Sequence, residues 1–301
     1  MINLNVFDYI SQIFKTAEQI PFDDSSKIIL MSDCHRGDGS WSDDFSRNQN
    51  LFFSALMYYY KRNYTYIELG DGEELWQSNI TDIKNEHSDV YWLMSKFYKE
   101  GRLFSLYGNH DIEKKKVSFV KDNFSFLYDE REKKDISLFE NIKIQEGLIL
   151  NYTVTGDKIL LIHGHQADFF NNKMLVISRF LVRYFWKPLE IFGVNDPTSP
   201  AKNYKKKKNV GNKLRKWSEK EKHMLIAGHT HKPVFPEVEQ PLYFNDGSCV
   251  HPRCITGIEI ADGFIILVKW CIITRNDGTL YVVRKILAGP RKLKDYFLKT
   301  M

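Results

Sequence analysis

Five apolar, strand-like runs in this chain each end abruptly in aspartate, asparagine or histidine, and this repeated ending constrains the fold more than any other feature. The clearest example ends at Leu69, where Gly70 and Asp71 follow directly and a helix-like segment then begins. A Gly-Asp pair by itself is an ordinary turn. Five such endings indicate strands whose carboxyl ends converge on one edge, which is where open α/β sheets bind ligands.

The strand-like runs alternate with segments of helical periodicity. The runs cover residues 27–32, 64–69, 102–107, 158–162 and 223–227. The helical segments include residues 4–18, 45–62 and 87–100. This alternation predicts right-handed crossovers and a mostly parallel sheet. From residue 242 onward the sequence instead predicts short antiparallel strands, with hairpin turns at Asp262-Gly263 and Asp277-Gly278.

Composition and charge limit the class of protein. The 301 residues are 43% hydrophobic and 27% charged, as in an ordinary globular protein. The formal net charge of +5 permits an anionic substrate without requiring nucleic acid. No stretch reaches the roughly 20 apolar residues of a membrane span, and the first residues lack a signal-peptide pattern. The four cysteines show no paired metal-ligand spacing. We therefore expect a reduced, soluble, cytoplasmic protein.

The polar endings supply seven candidate metal ligands. They are Asp33, His35, Asp71, Asn109, His163, His229 and His231. In an extended backbone, residues two apart point to the same side, so each Asp-x-His or His-x-His pair would face the site together. Seven oxygen and nitrogen donors without sulfur exceed the needs of one tetrahedral zinc and suit two divalent metals. Asp71 is the best candidate for a ligand shared by both metals, because it lies centrally among the endings.

The predicted site keeps a positive charge. Two divalent cations bring four positive charges and two aspartates remove two, which leaves about +2. This surplus favours binding of a phosphate group and activation of water at neutral pH, with the metals about 3.5–4 Å apart. We expect His110 to protonate the leaving-group oxygen or to stabilise the charged transition state, with Asp111 orienting its ring.

Taken in order, the five endings resemble the five motifs of calcineurin-like metallophosphoesterases. The matching segments are Asp33-Cys34-His35, Gly70-Asp71-Gly72-Glu73-Glu74, Gly108-Asn109-His110-Asp111, His163-Gly164-His165 and Gly228-His229-Thr230-His231. They span residues 33–231, about two-thirds of the chain. The resemblance implies an α/β protein with α+β elements, built as a four-layer αββα sandwich with a two-metal centre at the strand ends.

The resemblance also implies how the ligands divide between two divalent metal ions. One ion would be held by Asp33, His35, Asp71 and His231. The other would be held by Asp71, Asn109, His163 and His229. His110 would face the scissile phosphate. We expect manganese (Mn2+) at both positions, with iron and zinc as alternatives.

One branch of the family is similar in more detail. The segment Gly70–Trp76 reads Gly-Asp-x-x-Glu-x-Trp and looks like that of the UDP-2,3-diacylglucosamine pyrophosphohydrolases of lipid A synthesis. A basic, helical insertion at residues 168–222 between the fourth and fifth motifs is a second similarity. In those enzymes the insertion is a lid that takes the acyl chains. The chain departs from that branch at His110, where arginine is common, and at His165, where aspartate is usual.

Several polar residues near the motifs have two interpretations. Arg36 and Asp38 follow the first motif and are candidates to contact the substrate, with a salt-bridged loop as an equal alternative. His165 is a third candidate for substrate contact. Its position and that of Glu74 are also typical of groups that orient metal ligands. The polar residues from Asn245 to Ser248, beyond the last motif, predict an ordinary turn.

The sequence predicts one domain over residues 1–301, with residues 168–222 as an insertion and candidate lid. The predicted activity is hydrolysis of a phosphodiester or pyrophosphate bond by metal-activated water, on a phosphorylated small molecule or a UDP-linked glycolipid. The alternatives are a nucleotide or nucleic-acid phosphodiesterase and a phosphomonoesterase. The basic run at residues 202–216 suits a nucleic acid or peripheral contact with an anionic membrane as well as plain solvation.

A scaffold of the same fold that only binds partners is the rival hypothesis from a different class. The complete ligand set argues against it. Oligomeric state is left open by the sequence.

Overall fold

A computed structural model describes residues 5–129, 133–168 and 204–297 of the chain. Its strands form two mixed sheets and one short hairpin. In chain order the strands are β1 (Glu18–Phe22), β2 (Lys27–Met31), β3 (Thr65–Glu68), β4 (Leu103–Leu106), β5 (Phe126–Asp129), β6 (Lys134–Ser137), β7 (Ile144–Gln145), β8 (Gly147–Tyr152), β9 (Lys158–Ile162), β10 (Met224–Ala227), β11 (Tyr243–Asn245), β12 (Cys254–Ala261), β13 (Phe264–Thr274) and β14 (Leu280–Lys292). The helices are α1 (Val6–Thr16), α2 (Gln49–Tyr60), α3 (Ile80–Glu86), α4 (Ser88–Lys99), α5 (Val117–Phe124), α6 (Tyr204–Glu221) and α7 (Leu293–Phe297).

The first sheet has seven strands in the order β14-β13-β12-β2-β3-β4-β7. Strands β2, β3, β4 and β7 are parallel to one another. Strands β12, β13 and β14 continue the sheet in antiparallel pairs, which confirms the predicted antiparallel strands from β12 onward. The prediction is wrong for β11, which also lies after residue 242 but is parallel to β10. The sheet is therefore mixed, and the mostly parallel arrangement predicted from the sequence applies to its motif-bearing half.

The second sheet has five strands in the order β1-β8-β9-β10-β11. Here β9, β10 and β11 are parallel, and β8 is antiparallel to β9. The five strands that precede the motifs are thus divided, with β2, β3 and β4 in the first sheet and β9 and β10 in the second. The motif residues that follow these strands do converge, but they come from two different sheets.

The core shows a four-layer αββα arrangement, as predicted. Between the sheets, Leu30 and Ile67 of the first sheet pack against Leu161 and Ile226 of the second. Helices α2 and α4 cover the outer face of the first sheet, and α1 and α6 cover the outer face of the second. Burying each such aliphatic side chain contributes about 1.5–3 kcal/mol, so these three apolar layers hold the strand ends in place.

Strand β2 shows how the sequence produces these layers. Ile28 and Leu30 face the other sheet, whereas Ile29 and Met31 face the helices. Successive residues of a strand point to opposite faces. A strand that is covered on both faces therefore reads as an unbroken apolar run.

The predicted insertion is described only in part. Residues 169–203, the larger part of the predicted insertion, lie outside the described ranges. Helix α6 lies in the described part of the insertion, which is helical as predicted. Its Leu214 and Trp217 pack on the second sheet, while Arg215 and Lys216 are exposed. No helix within the described ranges is long and apolar enough to cross a membrane.

Candidate metal centre

The loops that follow β2 and β3 are hydrogen-bonded to each other beyond the end of the sheet. Asp33 N donates to Gly70 O at 3.1 Å, and His35 N donates to Asp71 O at 2.9 Å. The first two motifs are therefore held side by side by backbone hydrogen bonds that continue the pairing of the parent strands.

Five of the seven predicted ligands adopt left-handed backbone angles. The φ values are 53° at Asp33, 48° at His35, 50° at Asp71, 67° at His229 and 54° at His231. Such angles cost residues other than glycine on the order of 1–3 kcal/mol each and are concentrated at functional sites. The extended backbone predicted for the two paired motifs is therefore wrong. Tight turns, rather than strand alternation, direct these side chains into the site.

Two motif glycines permit the close approach of backbone to ligand carboxylates. A Cβ at Gly108 would lie 2.1 Å from Asp71 Oδ1. A Cβ at Gly228 would lie 2.1 Å from Ser32 Oγ and 2.7 Å from Asp33 Oδ2. Any larger residue at either position would displace a predicted metal ligand.

Each ligand aspartate uses one oxygen to fix itself to the protein. Asp33 Oδ2 accepts hydrogen bonds from Ser32 Oγ at 2.5 Å and from His229 N at 2.8 Å. Asp71 Oδ1 accepts from His110 N at 2.8 Å. The second oxygen of each carboxylate faces the histidines, with Asp33 Oδ1 lying 3.1 Å from His231 Nε2.

Asp71 lies between the two halves of the site. Its Oδ2 is 3.1 Å from His163 Nε2, which comes from the second sheet, and 3.7 Å from His35 Nε2, which comes from the first. The central position that the sequence predicted for this carboxylate is therefore the one it occupies.

The ligand atoms gather into three sets in which all atoms lie within 4.8 Å of one another. The sets are Asp33, His35 and His231; Asp71, His163 and His229; and His35, Asp71 and His110. The first two sets correspond to the two predicted metal positions. The third connects them and places His110 beside the central carboxylate.

Hydrogen bonds orient the histidines of both sheets. His163 Nδ1 donates to Leu69 O at 2.9 Å, and His35 Nδ1 donates to Glu74 Oε2 at 2.9 Å. In both rings Nε2 is left to face the site, as is usual for metal-binding histidines. Burial lowers the pKa of His163, but the charge of Asp71 outweighs it and raises the pKa to about 9. A cation at Nε2 would replace this proton.

Three buried ligand atoms at the centre lack a hydrogen-bond partner within the described part of the chain. They are Asp33 Oδ1, Asn109 Oδ1 and His163 Nε2. Two of them have a charged or ionisable group nearby instead, since His163 Nε2 is 3.1 Å from Asp71 Oδ2 and Asp33 Oδ1 is 3.1 Å from His231 Nε2. An unsatisfied buried polar group costs roughly 1–3 kcal/mol. Three of them at one place, all of metal-ligand type, fit a site built for divalent cations.

His110 is oriented by Glu74, not by Asp111. His110 Nδ1 is 2.9 Å from Glu74 Oε1. The His110 ring is stacked on Trp76, with centroids 4.1 Å apart and planes at 20°. Trp76 Nε1 in turn donates to Asn109 O at 2.8 Å. One carboxylate and one indole therefore fix both the direction and the plane of the His110 ring.

Glu74 bonds two site histidines at once. Its Oε2 accepts from His35 and its Oε1 accepts from His110. Burial alone would raise the pKa of Glu74, but the charge of His110 and the hydrogen bonds lower it to about 2. The carboxylate is therefore ionised at neutral pH and orients a predicted metal ligand, which is the role that the sequence favoured for it.

Asp111 holds two motif loops together. It is fully buried and accepts hydrogen bonds from Gly108 N at 2.6 Å and from Gly72 N at 3.0 Å. Its Oδ2 is also 2.8 Å from Lys114 Nζ. Burial raises the pKa of Asp111 against the opposing charge of Lys114. The prediction that Asp111 orients the His110 ring is wrong, because its oxygens are used by the backbone and by Lys114.

Arg36 is a structural residue. It is fully buried, and its Nη1 and Nη2 donate to Glu68 at 2.8 and 3.0 Å. Nη2 also donates to Glu73 at 2.6 Å, and Glu73 contacts Lys114. The predicted contact of Arg36 with substrate is therefore wrong, because its guanidinium points into a buried group of charged side chains. The salt-bridged alternative is the one the structure shows.

The other two candidate substrate residues do not belong to the sets of ligand atoms. Asp38 is partly buried, and its Oδ1 accepts from Ser40 N at 3.2 Å. His165 is buried, with its ring centroid 5.5 Å from that of His163. Burial and the charge of His163 lower the pKa of His165 to about 3, so this ring is neutral. Substrate contact by either residue stays a prediction.

Residues after β11 brace the site, although the sequence predicted only a turn there. Asn245 Nδ2 donates to Gly228 O at 2.6 Å, and Ser248 Oγ donates to Asp33 O at 3.2 Å. Both side chains are fully buried. The signal was present, because an apolar run followed by Asn-Asp-Gly-Ser repeats the pattern of the five motifs.

Comparison with known proteins shows the family through one profile. A family profile described as "Calcineurin-like phosphoesterase" matches residues 26–233. No curated protein sequence matches the chain significantly. Among solved structures, Vps29 from Chaetomium thermophilum is 9% identical, with a TM-score of 0.39, and the match covers 87% of this chain and 97% of that one. A hypothetical protein from Thermus thermophilus is 10% identical, with a TM-score of 0.32, and the match covers 86% and 99%.

Proposed function

The chain belongs to the calcineurin-like phosphoesterase family, and we propose that it is an active, metal-dependent hydrolase of phosphodiester or pyrophosphate bonds. The observation that carries this proposal is the convergence of the predicted ligands into two adjoining sets, with three buried ligand atoms left unsatisfied within the described ranges. A protein that only bound partners would have no use for this arrangement, and its strained backbone and unpaired atoms would cost stability.

The ligand sets define which residues would hold each cation. Asp33, His35 and His231 would hold one. Asp71, His163 and His229 would hold the other, with the unpaired oxygen of Asn109 as a further donor. Bound divalent cations would supply positive charge for the phosphoryl oxygens and activate the attacking water. Oxygen and imidazole donors suit manganese, which we propose first, and also iron and zinc.

We assign His110 to the leaving group. Its Nδ1 is bound to Glu74, so Nε2 is the nitrogen left to meet a substrate. A proton on Nε2 can pass to the leaving-group oxygen as the ester bond breaks. Stacking on Trp76 holds the ring plane, so the direction of this transfer is set before the substrate arrives.

For the substrate we propose a UDP-linked glycolipid first and a nucleotide or nucleic-acid diester second, with a phosphomonoester as the remaining alternative. The Gly70–Trp76 segment and the insertion support the glycolipid, since both resemble the corresponding parts of that branch. Exposed Lys208, Arg215 and Lys216 on α6 would suit any of these anions and would also suit peripheral contact with an anionic membrane.

A manganese-supplemented screen tests the proposal. It compares a phosphomonoester, a chromogenic phosphodiester, a UDP-linked glycolipid and single-stranded nucleic acid, with metal content measured on the same sample. We expect hydrolysis of a diester or pyrophosphate bond that depends on added divalent cation and is absent from Asp71→Asn. A protein that binds neither manganese, iron nor zinc and hydrolyses none of the four substrates would overturn the proposal and favour a scaffold.

A further inference from the structure

Two partly exposed cysteines face each other outside the metal centre. Cys254 on β12 is directly opposite Cys271 on β13 in the antiparallel register, and both are free thiols. Residues directly opposite in such a pair project from the same face of the sheet. Nearer the middle of the strands this face carries Ile258 and Leu267, which are in the core between the sheets. The cysteine pair lies where that face becomes accessible.

The backbone hydrogen bonds show which kind of pair this is. Cys254 N donates to His251 O at 3.3 Å, and Cys254 O accepts from Asn48 Nδ2 at 3.4 Å. Two residues further along, Thr256 N donates to Ser248 O at 3.1 Å. Both N–H groups therefore point away from β13. The cysteines occupy a non-hydrogen-bonded position of the ladder, where opposite side chains come closest.

The spacing of such a position fits a disulfide. Cα atoms of a non-hydrogen-bonded pair are about 4.5 Å apart, and disulfides span Cα separations of roughly 4.4–6.8 Å. Burial raises the pKa of the Cys254 thiol, Lys269 opposes this increase and the nearby thiol of Cys271 adds to it. A raised pKa leaves less thiolate at neutral pH, so we expect exchange to take minutes to hours.

We propose that Cys254 and Cys271 are a redox modification site that forms a reversible disulfide across the β12–β13 hairpin. A small-molecule disulfide such as oxidised glutathione is the oxidant. One protein thiolate displaces a glutathione thiolate and forms a mixed disulfide, and the second protein thiolate then displaces the remaining glutathione. Two protein thiols are oxidised to one disulfide, one glutathione disulfide is reduced to two glutathione thiols, and protons are conserved.

The other two cysteines provide an internal contrast. Cys34 and Cys249 also interact with each other, but both are completely buried. A small-molecule disulfide cannot reach them in the folded protein. The chain therefore contains one accessible and one inaccessible thiol pair, and only the accessible pair is expected to react.

The accessible cysteine pair lies next to the loop that is hydrogen-bonded to Asp33, a predicted metal ligand. Cys254 begins β12 directly after the loop in which Cys249 N donates to Asp33 O at 3.2 Å. Asn48 Nδ2 fastens this loop through Cys249 O at 2.8 Å and His251 O at 2.7 Å. A disulfide at Cys254 would add a covalent anchor at the end of the loop. We expect the oxidised protein to unfold at a temperature higher by on the order of 5 °C.

Peptide mapping tests the proposal. The protein is equilibrated with oxidised and reduced glutathione, its remaining thiols are blocked with N-ethylmaleimide, and it is digested with trypsin. Each cysteine falls in a different tryptic peptide, so linkage can be read directly from mass. The expected product joins the peptide Cys254–Lys269 to the peptide Trp270–Arg275, with Cys34 and Cys249 unlinked.

Single-cysteine variants distinguish a disulfide from separate modification of two thiols. After equilibration with glutathione, the Cys254→Ser and Cys271→Ser variants should each carry one glutathione on the other cysteine of the pair. The chain with all four cysteines should carry no glutathione and should lose two free thiols. The rise in unfolding temperature should disappear in both variants and on reduction. The proposal would be overturned if the chain with all four cysteines carried two glutathiones, if it lost no thiols, or if Cys34 were linked to Cys249. None of these results bears on hydrolysis, which is measured separately.

Discussion

Glu73 and Glu74 are consecutive in the sequence but belong to two different clusters of buried charge. Glu73 contacts Arg36 and Lys114 in what we call the ion cluster, which comprises Arg36, Glu68, Glu73, Asp111 and Lys114. Glu74 bonds His35 and His110 at the edge of the metal cluster, which comprises Asp33, His35, Asp71, Asn109, His163, His229 and His231. The turn after β3 separates the two.

The two clusters differ in where their positive charge comes from. In the ion cluster, Arg36 and Lys114 match the two glutamates, and Asp111 is further held by backbone N–H groups. Arg36 Nε and Glu73 Oε2 lack a hydrogen-bond partner within the described ranges, yet each charged group has an ion partner. In the metal cluster, two aspartates face histidines whose ring nitrogens are arranged as ligands. The difference indicates that the ion cluster is compensated by its own side chains and that the metal cluster offers its donor atoms to cations from solution.

Removing the central carboxylate should have the largest effect. Asp71→Asn keeps an oxygen to accept from His110 N but removes the negative charge that lies between the two ligand sets. We expect both metals to be lost and turnover to fall by more than about 10⁴-fold, since the chemistry depends on both cations. The Asp71→Asn protein should remain folded although it holds no metal.

Metal analysis and steady-state kinetics check this result, with Asp44→Asn as the matched control because Asp44 is exposed. Full metal content and activity in Asp71→Asn would refute the central role of this carboxylate and, with it, the distinction between the clusters.

His110→Ala should leave the metal content unchanged and slow turnover by on the order of 10²–10⁴-fold. The loss should be largest for an alkyl ester, whose leaving group needs a proton, and much smaller for a nitrophenyl ester, which leaves as a stable anion. Comparing the two esters on one enzyme sample provides the control. Equal losses on both would remove His110 from the role of proton donor.

Arg36→Met should affect folding rather than chemistry. It leaves Glu68 and Glu73 buried without their arginine, and breaking a buried pair from one side costs about 3–5 kcal/mol. Chemical denaturation of the metal-stripped protein measures the free energy of unfolding, and Lys61→Met, at an exposed position, is the control. A loss smaller than that of Lys61→Met would mean that the ion cluster does not stabilise the fold.

Much of the site could be predicted because each ligand follows a strand that is buried on both faces. Strands such as β2 read as unbroken apolar runs, and the polar residue that ends each run is easily recognised. The division of the five strands between two sheets could not be predicted, because strand order is set by packing over long sequence separations. The assignment of the seven ligands did not depend on that division.

Adjacency in the sequence is a poor guide to which side chains contact each other at this site. Asp111 follows His110, yet its oxygens are taken by Gly72, Gly108 and Lys114, while Glu74 from another loop reaches the His110 ring. After β2, β3 and β10, left-handed residues likewise direct neighbouring side chains apart. The two interpretations of Arg36 cannot be distinguished from the sequence for the same reason, since its partner Glu68 lies on a different strand and cannot be identified from spacing.

The adjacent glutamates provide the sharpest test of the comparison, although the effects are the smallest. Glu74→Gln keeps an oxygen for one histidine but loses the charge that orients both, so we expect turnover or metal affinity to fall by roughly 10–100-fold with little change in unfolding. Glu73→Gln should do the reverse, lowering the unfolding free energy by about 1–3 kcal/mol while kcat stays within about twofold. Because the two variants make the same chemical change at consecutive positions, each is the control for the other. If both variants changed both quantities to the same extent, the ion cluster and the metal cluster would be one coupled network, and the Asp71–Gly72 turn would not separate structure from chemistry.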